Sequence, residues 1–121
     1  MEALKTEEKV VHEAKLLGYS KRFLWVDLTE GRTWITEPPE DFYLRHLGGR
    51  GFITPLLLEH LPSGTDPLGP QNVLIFALGP LTGHPFTGSG RHSVGAKSPL
   101  TGAFGEAESG GFWGARLRRA G

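Results

Sequence analysis

The sequence predicts an α+β domain in which short helices and strands are interleaved, and three observations carry that prediction. Residues 23–28 and 33–36 are rich in aromatic and β-branched side chains and flank Thr29-Glu30-Gly31-Arg32, the composition of a hairpin turn. Residues 73–78 are a nearly unbroken apolar run, the pattern of a strand covered on both faces. Residues 41–47, 52–61 and 110–120 carry helical patterns, each set off by glycine.

Taken in order, residues 1–18 read as an appended amphipathic helix. Leu4, Val10, Val11, Ala14 and Leu17 recur near helical spacing and Gly18 stands where the helix would end. The body of the domain is then 19–121. Pro38 and Pro39 stop the second hairpin strand, since proline lacks the N–H that a ladder needs. The helix over 41–47 ends at Gly48-Gly49, and the helix over 52–61 has Pro55 in its first turn, where proline is tolerated. Residues 62–71 form a loop carrying three prolines and two glycines. Gly79-Pro80 ends the apolar strand, residues 92–97 are a weaker strand candidate, and the helix over 110–120 places Phe112, Trp113 and Leu117 on one side. The chain stops at Gly121, where a βαβ-like arrangement would next return to the sheet, so the C-terminal boundary reads as a cut.

Composition excludes several functions. Thirteen basic residues balance thirteen acidic ones, so no net field is available to hold a nucleic acid or an anionic membrane. The absence of cysteine removes disulfides, thiolate metal sites and thiol nucleophiles from this chain. No apolar run approaches the roughly 20 residues that a membrane-spanning helix requires. The first fifteen residues are too charged for a signal peptide, and the reading is a cytoplasmic protein.

The functional information is concentrated between Gly79 and Gly114, which holds ten of the 18 glycines. Such density in a folded segment marks sharp turns or backbone lying close to a ligand. Pro-Leu-Thr-Gly occurs twice, at Pro80 to Gly83 and at Pro99 to Gly102, with Arg91 between the copies. Arg91 is the first candidate for binding, because a guanidinium is always charged and its planar fork of donors matches phosphate oxygens. Gly110 and Gly111 open the last helix, where unpaired amides and the positive end of the helix dipole would stabilise an anion. Glu108 and Ser109 precede them in capping positions. The five histidines show no metal-ligand spacing, and the serines lie outside any nucleophile-elbow context. Taken alone, the residues describe a phosphate-binding loop domain, with no catalytic group assigned.

The order of motifs adds to this. Leu-Gly-Gly-Arg-Gly at Leu47 to Gly51, Asp-Pro-Leu at Asp66 to Leu68, and the Gly-Pro-Leu-Thr-Gly, Gly-Arg, Lys-Ser-Pro-Leu-Thr-Gly and Ser-Gly-Gly-Phe series from Gly79 to Phe112 resemble the N-terminal domain of the tungsten-containing aldehyde ferredoxin oxidoreductases. The resemblance implies an α+β platform with a mixed β-sheet and short helices, of which this chain would be one half of a duplicated pair. It implies a cofactor of tungsten or molybdenum held by two pterins, with magnesium bridging the pterin phosphates. Arg91 matches the family arginine at the pterin, and Ser109, Gly110 and Gly111 match the backbone at its phosphates. Glu108 falls where the family often has an asparagine whose carbonyl helps hold the magnesium.

The family's reaction is the oxidation of aldehydes to carboxylates, with electrons passing through a [4Fe–4S] cluster to ferredoxin. The cluster cysteines and the residues around the aldehyde belong to later domains. The resemblance therefore implies downstream domains or a companion subunit as partners, and an inactive chain in isolation. The alternative is a non-catalytic phosphate-binding or scaffold module that docks on a partner subunit.

Overall fold

The structure is a computed structural model that describes residues 18–121. The appended helix expected over residues 1–18 thus falls almost wholly outside the described residues. The α+β class holds, with the element order β1 (Phe23–Asp27), β2 (Arg32–Thr36), α1 (Glu40–His46), α2 (Arg50–His60), β3 (Ile75–Leu78), β4 (His92–Lys97), β5 (Phe104–Ser109) and α3 (Trp113–Ala120). Strands β1 and β2 form a two-stranded sheet and β3, β4 and β5 a three-stranded one, and every pairing among the described residues is antiparallel.

The hairpin forms where the turn chemistry puts it. The Asp27 carboxylate accepts hydrogen bonds from the backbone N–H groups of Thr29 and Glu30, at 3.0 and 3.1 Å, and Gly31 supplies the positive φ of 65°. Directly opposite residues Trp25 and Trp34 stack with centroids 5.9 Å apart. Alternation along β1 turns Phe23 and Trp25 inward and leaves Leu24 and Val26 exposed. Phe23 enters an aromatic cluster with Phe42, Tyr43 and Phe52, so the hairpin is anchored to α1 and α2 through one face.

Helix α2 lies on the β3–β4–β5 sheet and supplies most of the core: Phe52, Ile53, Leu56 and Leu57 are buried with Tyr43 of α1 and Ala77 of β3. Close packing is permitted at Gly95 of β4, where a Cβ would fall 2.5 Å from Ile53 Cγ2. The opposite sheet face is covered at one end by α3, whose Trp113 ring lies 5.1 Å from Phe76 and 4.6 Å from His92.

Four sequence-based expectations need correction. Strand β3 is not enclosed on both faces: Phe76 is 48 % exposed, and the apolar run signals strand type without fixing how many faces are covered. Strand β4, read as weak, is the central strand of its sheet; its small residues, Ser93 and Gly95, are there because α2 lies against them. Strand β5 was not predicted, since Phe-Gly-Glu-Ala-Glu-Ser has little β-branched or apolar content. Helix α2 begins at Arg50, so Pro55 lies beyond the first turn and the helix loses the backbone hydrogen bond its N–H would otherwise make.

Candidate functional site

A cavity of about 470 Å³ opens at the end of the three-stranded sheet where the start of α2 meets the start of β4. Its walls are the Leu47–Arg50 turn, Ala77 and the Gly79–Thr82 turn after β3, the segment Arg91–Ser93, and Glu108 of β5.

Each wall has a local cause. Leu-Gly-Gly-Arg-Gly reverses the chain between α1 and α2: Leu47, Gly48 and Gly49 take φ of 62, 137 and 55°, and the Gly49 N–H bonds the Leu78 carbonyl at 3.0 Å. Gly51 is required by proximity, because a Cβ there would meet the His46 carbonyl oxygen at 1.9 Å. In the first Pro-Leu-Thr-Gly copy, the buried Thr82 hydroxyl accepts from the Gly79 N–H at 3.0 Å and donates to the Arg91 carbonyl at 2.9 Å. That pair of bonds fixes the backbone of Arg91 relative to the turn. Arg118 of α3 ties the same turn from behind, donating to the carbonyls of Gly79, Pro80 and Thr82 and to that of Gly18. Burial pushes the Arg118 guanidinium below its ordinary pKa, partly offset by neighbouring Tyr19.

The second Pro-Leu-Thr-Gly copy connects β4 to β5. Because β4 runs from His92 to Lys97, the copies stand at opposite ends of that strand and only the first lines the cavity. The second is a local turn, with the Ser98 hydroxyl accepting from the N–H groups of Leu100 and Thr101.

Of the sequence-derived candidates, Arg91 and Glu108 are brought together in the cavity wall. The Arg91 guanidinium contacts the Glu108 carboxylate at 3.3 Å, with both side chains largely exposed. Ser109 is the last residue of β5 and pairs with His92, so alternation puts its side chain on the face opposite Glu108. Gly110 and Gly111 lie beyond the strand in open space, beside Arg91 along the chain path: a Cβ on Gly90 would approach the Gly111 carbonyl oxygen to 2.6 Å.

The expectation that Gly110 and Gly111 begin a helix is corrected. Helix α3 starts at Trp113, and Gly111 has φ of 91°, outside the right-handed helical region. Glu108 and Ser109 therefore end a strand and cap no helix.

The sequence reading missed a second arginine. Arg50, the first residue of α2, directs Nε and Nη2 at Glu106 Oε2, at 2.8 and 2.7 Å, and the Glu106 side chain is only 10 % exposed. Glu106 and Glu108 are two apart on β5 and so share the α2 face of the sheet; each carries one arginine. Ser93 shares that face and is 5 % exposed. His92 contributes to the wall from the strand start, while its ring faces Trp113 on the other side. The signal available in advance was the Glu-x-Glu spacing, legible only once β5 is recognised as a strand.

The donor set suits an anionic, phosphate-bearing group. Two guanidinia and a helix start face the cavity, and the loop beyond β5 leaves room for a ligand to lie on its backbone. The set does not by itself make a metal centre: among the described residues no three metal-ligating side chains cluster. A magnesium ion at Glu108 would need most of its oxygens from the ligand's phosphates, the usual arrangement for that ion. A wider hollow of about 620 Å³ beside the hairpin is lined by Ser20–Arg22 and Glu37–Glu40, and two of its four charged residues, Lys21 and Glu40, pair with each other.

The family model for the aldehyde ferredoxin oxidoreductase N-terminal domain matches residues 23–121. The chain belongs to the aldehyde ferredoxin oxidoreductase family. It is 45 % identical over 106 residues to the tungsten-containing aldehyde ferredoxin oxidoreductase of Pyrococcus furiosus, covering 88 % of this chain and 18 % of that protein. The Pyrococcus abyssi enzyme of the same name is 44 % identical over the same shares. The aliphatic sulfonate oxidoreductase WOR-like subunit of Pyrococcus furiosus is 37 % identical over 87 residues, or 69 % of this chain and 14 % of that subunit.

Among solved structures, the active site complex BamBC of benzoyl coenzyme A reductase, in complex with 1,5 dienoyl-CoA, aligns with a TM-score of 0.83 at 35 % identity, over 87 % of this chain and 16 % of that one. The chain thus spans less than a fifth of the length of these family members. The aldehyde ferredoxin oxidoreductases among these relatives are tungsten-containing. No helix among the described residues is long and apolar enough to cross a membrane.

Proposed function

We propose that this chain is the front portion of a tungstopterin oxidoreductase and that its role is to receive the phosphate end of the pterin cofactor. The observation that carries the reading is Arg91, held at its backbone by Thr82 and facing a cavity whose turns are built from the family's glycine motifs. In this reading Arg91 contacts the cofactor, the amides of Ser109, Gly110 and Gly111 meet its phosphates, and Glu108 lies at the bridging magnesium. When bound, the metal dithiolene centre supplies the redox chemistry; the protein residues bind, orient and compensate charge.

The finer reaction is also a proposal: aldehyde oxidation, with electrons leaving through a [4Fe–4S] cluster to ferredoxin in segments beyond this one. The aldehyde oxidoreductases are the more similar relatives, and this favours an aldehyde substrate. Relatives named for aldehydes, aliphatic sulfonates and benzoyl coenzyme A all share this domain, which supports a cofactor platform common to different substrates. The test is Arg91→Ala in the whole protein, followed by tungsten, molybdenum and pterin content per chain. A clear fall is expected; unchanged content removes Arg91 from the assignment.

A further inference from the structure

Among the described residues, helix α3 is covered on one side only. Its Trp113 ring lies against Phe76 and His92, Gly114 is buried, and Ala115 and Arg118 pack so closely on the Gly79–Thr82 turn that a Cβ on the following Gly83 would meet both. On the other side Phe112, Arg116 and Arg119 follow at i, i+4 and i+7 and are all exposed, Phe112 at 86 % and the neighbouring Trp113 at 45 %. Neither Arg116 nor Arg119 pairs with a carboxylate among the described residues. An apolar and cationic stripe of this kind fits an amphipathic segment that carries an acid.

The end of residues 1–17 stands beside that stripe. The Arg118 guanidinium donates to the Gly18 carbonyl at 2.7 Å, and a Cβ on Gly18 would come within 3.0 Å of the Pro80 carbonyl oxygen. The preceding segment therefore enters at the C-terminal half of α3, and Arg116 and Arg119 lie within one helical turn of this anchor. Val10, Val11, Ala14 and Leu17 recur at helical spacing, and Glu13 lies at the margin of that set, three residues after Val10 and four before Leu17. On a helix Glu13 is roughly 7.5 Å back from Gly18, within side-chain reach of the two arginines, and Val10 is roughly 12 Å back. Phe112 is roughly 9 Å along α3 from Arg118, so the two lengths match. The segment precedes residues 23–121, which the family model matches, so this cover is no part of the shared domain.

We propose that residues 1–17 fold back as an amphipathic helix along the exposed side of α3 of the same chain, with Val10 and Ala14 over Phe112 and Trp113 and Glu13 between Arg116 and Arg119. The consequence reaches the cavity. Arg118 ties α3 to the Gly79–Thr82 turn, so the segment clamps the element that holds that wall. This docking is independent of which ligand the cavity takes.

The experiment uses the whole protein. A photo-crosslinking benzophenone side chain in place of Val10, in an equal mixture with an isotope-labelled copy, should join to the peptide holding Phe112 and Trp113 within one chain. Products between labelled and unlabelled chains would make the occupant of α3 a second copy, and products with another polypeptide would make it a partner subunit; either result, or no product at α3, overturns the proposal. Deleting residues 1–17 should speed hydrogen exchange at the amides of residues 116–120 about tenfold, the change that uncovering one large apolar side chain makes, with the β1–β2 hairpin unaffected. Glu13→Arg should reproduce part of that, and adding Arg116→Glu and Arg119→Glu should restore the slower rate. Unchanged exchange in the deletion, or a triple variant no slower than Glu13→Arg, also overturns the proposal.

Discussion

Ile53 of α2 occupies the space that a side chain on Gly95 of β4 would need, its Cγ2 lying 2.5 Å from the position of a Cβ there. Ile53 is fully buried and has nowhere to move. Gly95→Ala should therefore cost about 1–3 kcal/mol of stability through overpacking. Denaturant melts would show it, and a double-mutant cycle with Ile53→Ala should recover part of the loss, because the two sites are in contact.

The Tyr43 hydroxyl is buried with no partner among the described residues, and burial, with Glu37 adding to it, holds the phenol above its ordinary pKa. Removing that oxygen leaves the ring in its aromatic cluster. Tyr43→Phe should leave stability unchanged or raise it by up to about 1 kcal/mol, while Tyr43→Ala should cost about 3–5 kcal/mol. A loss in the phenylalanine variant would show that the hydroxyl is bonded after all.

Arg118 holds the Gly79–Thr82 turn through a fork of donors to backbone carbonyls. A lysine presents a point charge and cannot span that set. Arg118→Ala should cost about 2–3 kcal/mol, the range for hydrogen bonds to a charged group, and Arg118→Lys should restore little of it. Hydrogen exchange at the amides of residues 79–83 is the sensitive readout: faster exchange there, with the β1–β2 hairpin unaffected, is the expected pattern.

Asp27 gives the hairpin a pH dependence. Hydrogen bonds from the N–H of Glu30 and then of Thr29, with Arg32 nearby, hold its carboxyl below the usual carboxylate range. The folded pKa is lower than the unfolded one, so the stabilisation is fully present above the unfolded value and is lost as pH falls through the folded value. The stability difference between the wild type and Asp27→Asn should be largest near neutral pH and shrink to nothing in strong acid. A difference that persists in acid would assign the effect to side-chain geometry alone.

Local chemistry made the hairpin and the two central helices legible. Asp27 and Gly31 specify a turn without tertiary help, and Gly48-Gly49 stop a helix by conformation. Strand β5 was hidden because its residues are chosen for what they hold: Glu106 and Glu108 serve two arginines, at positions where β-branched side chains would ordinarily announce a strand. For the same reason Arg91 was visible in its glycine loop but Arg50 and Ser93 were not, since their importance comes only from α2 crossing β4. The helix start at Gly110 was misjudged because a glycine pair signals a backbone reversal as readily as a helix terminus.

The bond from Arg118 to the Gly18 carbonyl closes a span of 100 positions. During synthesis on the ribosome the hairpin can form as soon as it emerges, because its contacts are local. The Gly79–Thr82 turn and the segment before the hairpin must wait for residue 118 to leave the exit tunnel before they are fastened. A nascent chain halted ahead of that residue would leave the cavity wall at the Gly79–Thr82 turn without its Arg118 anchor.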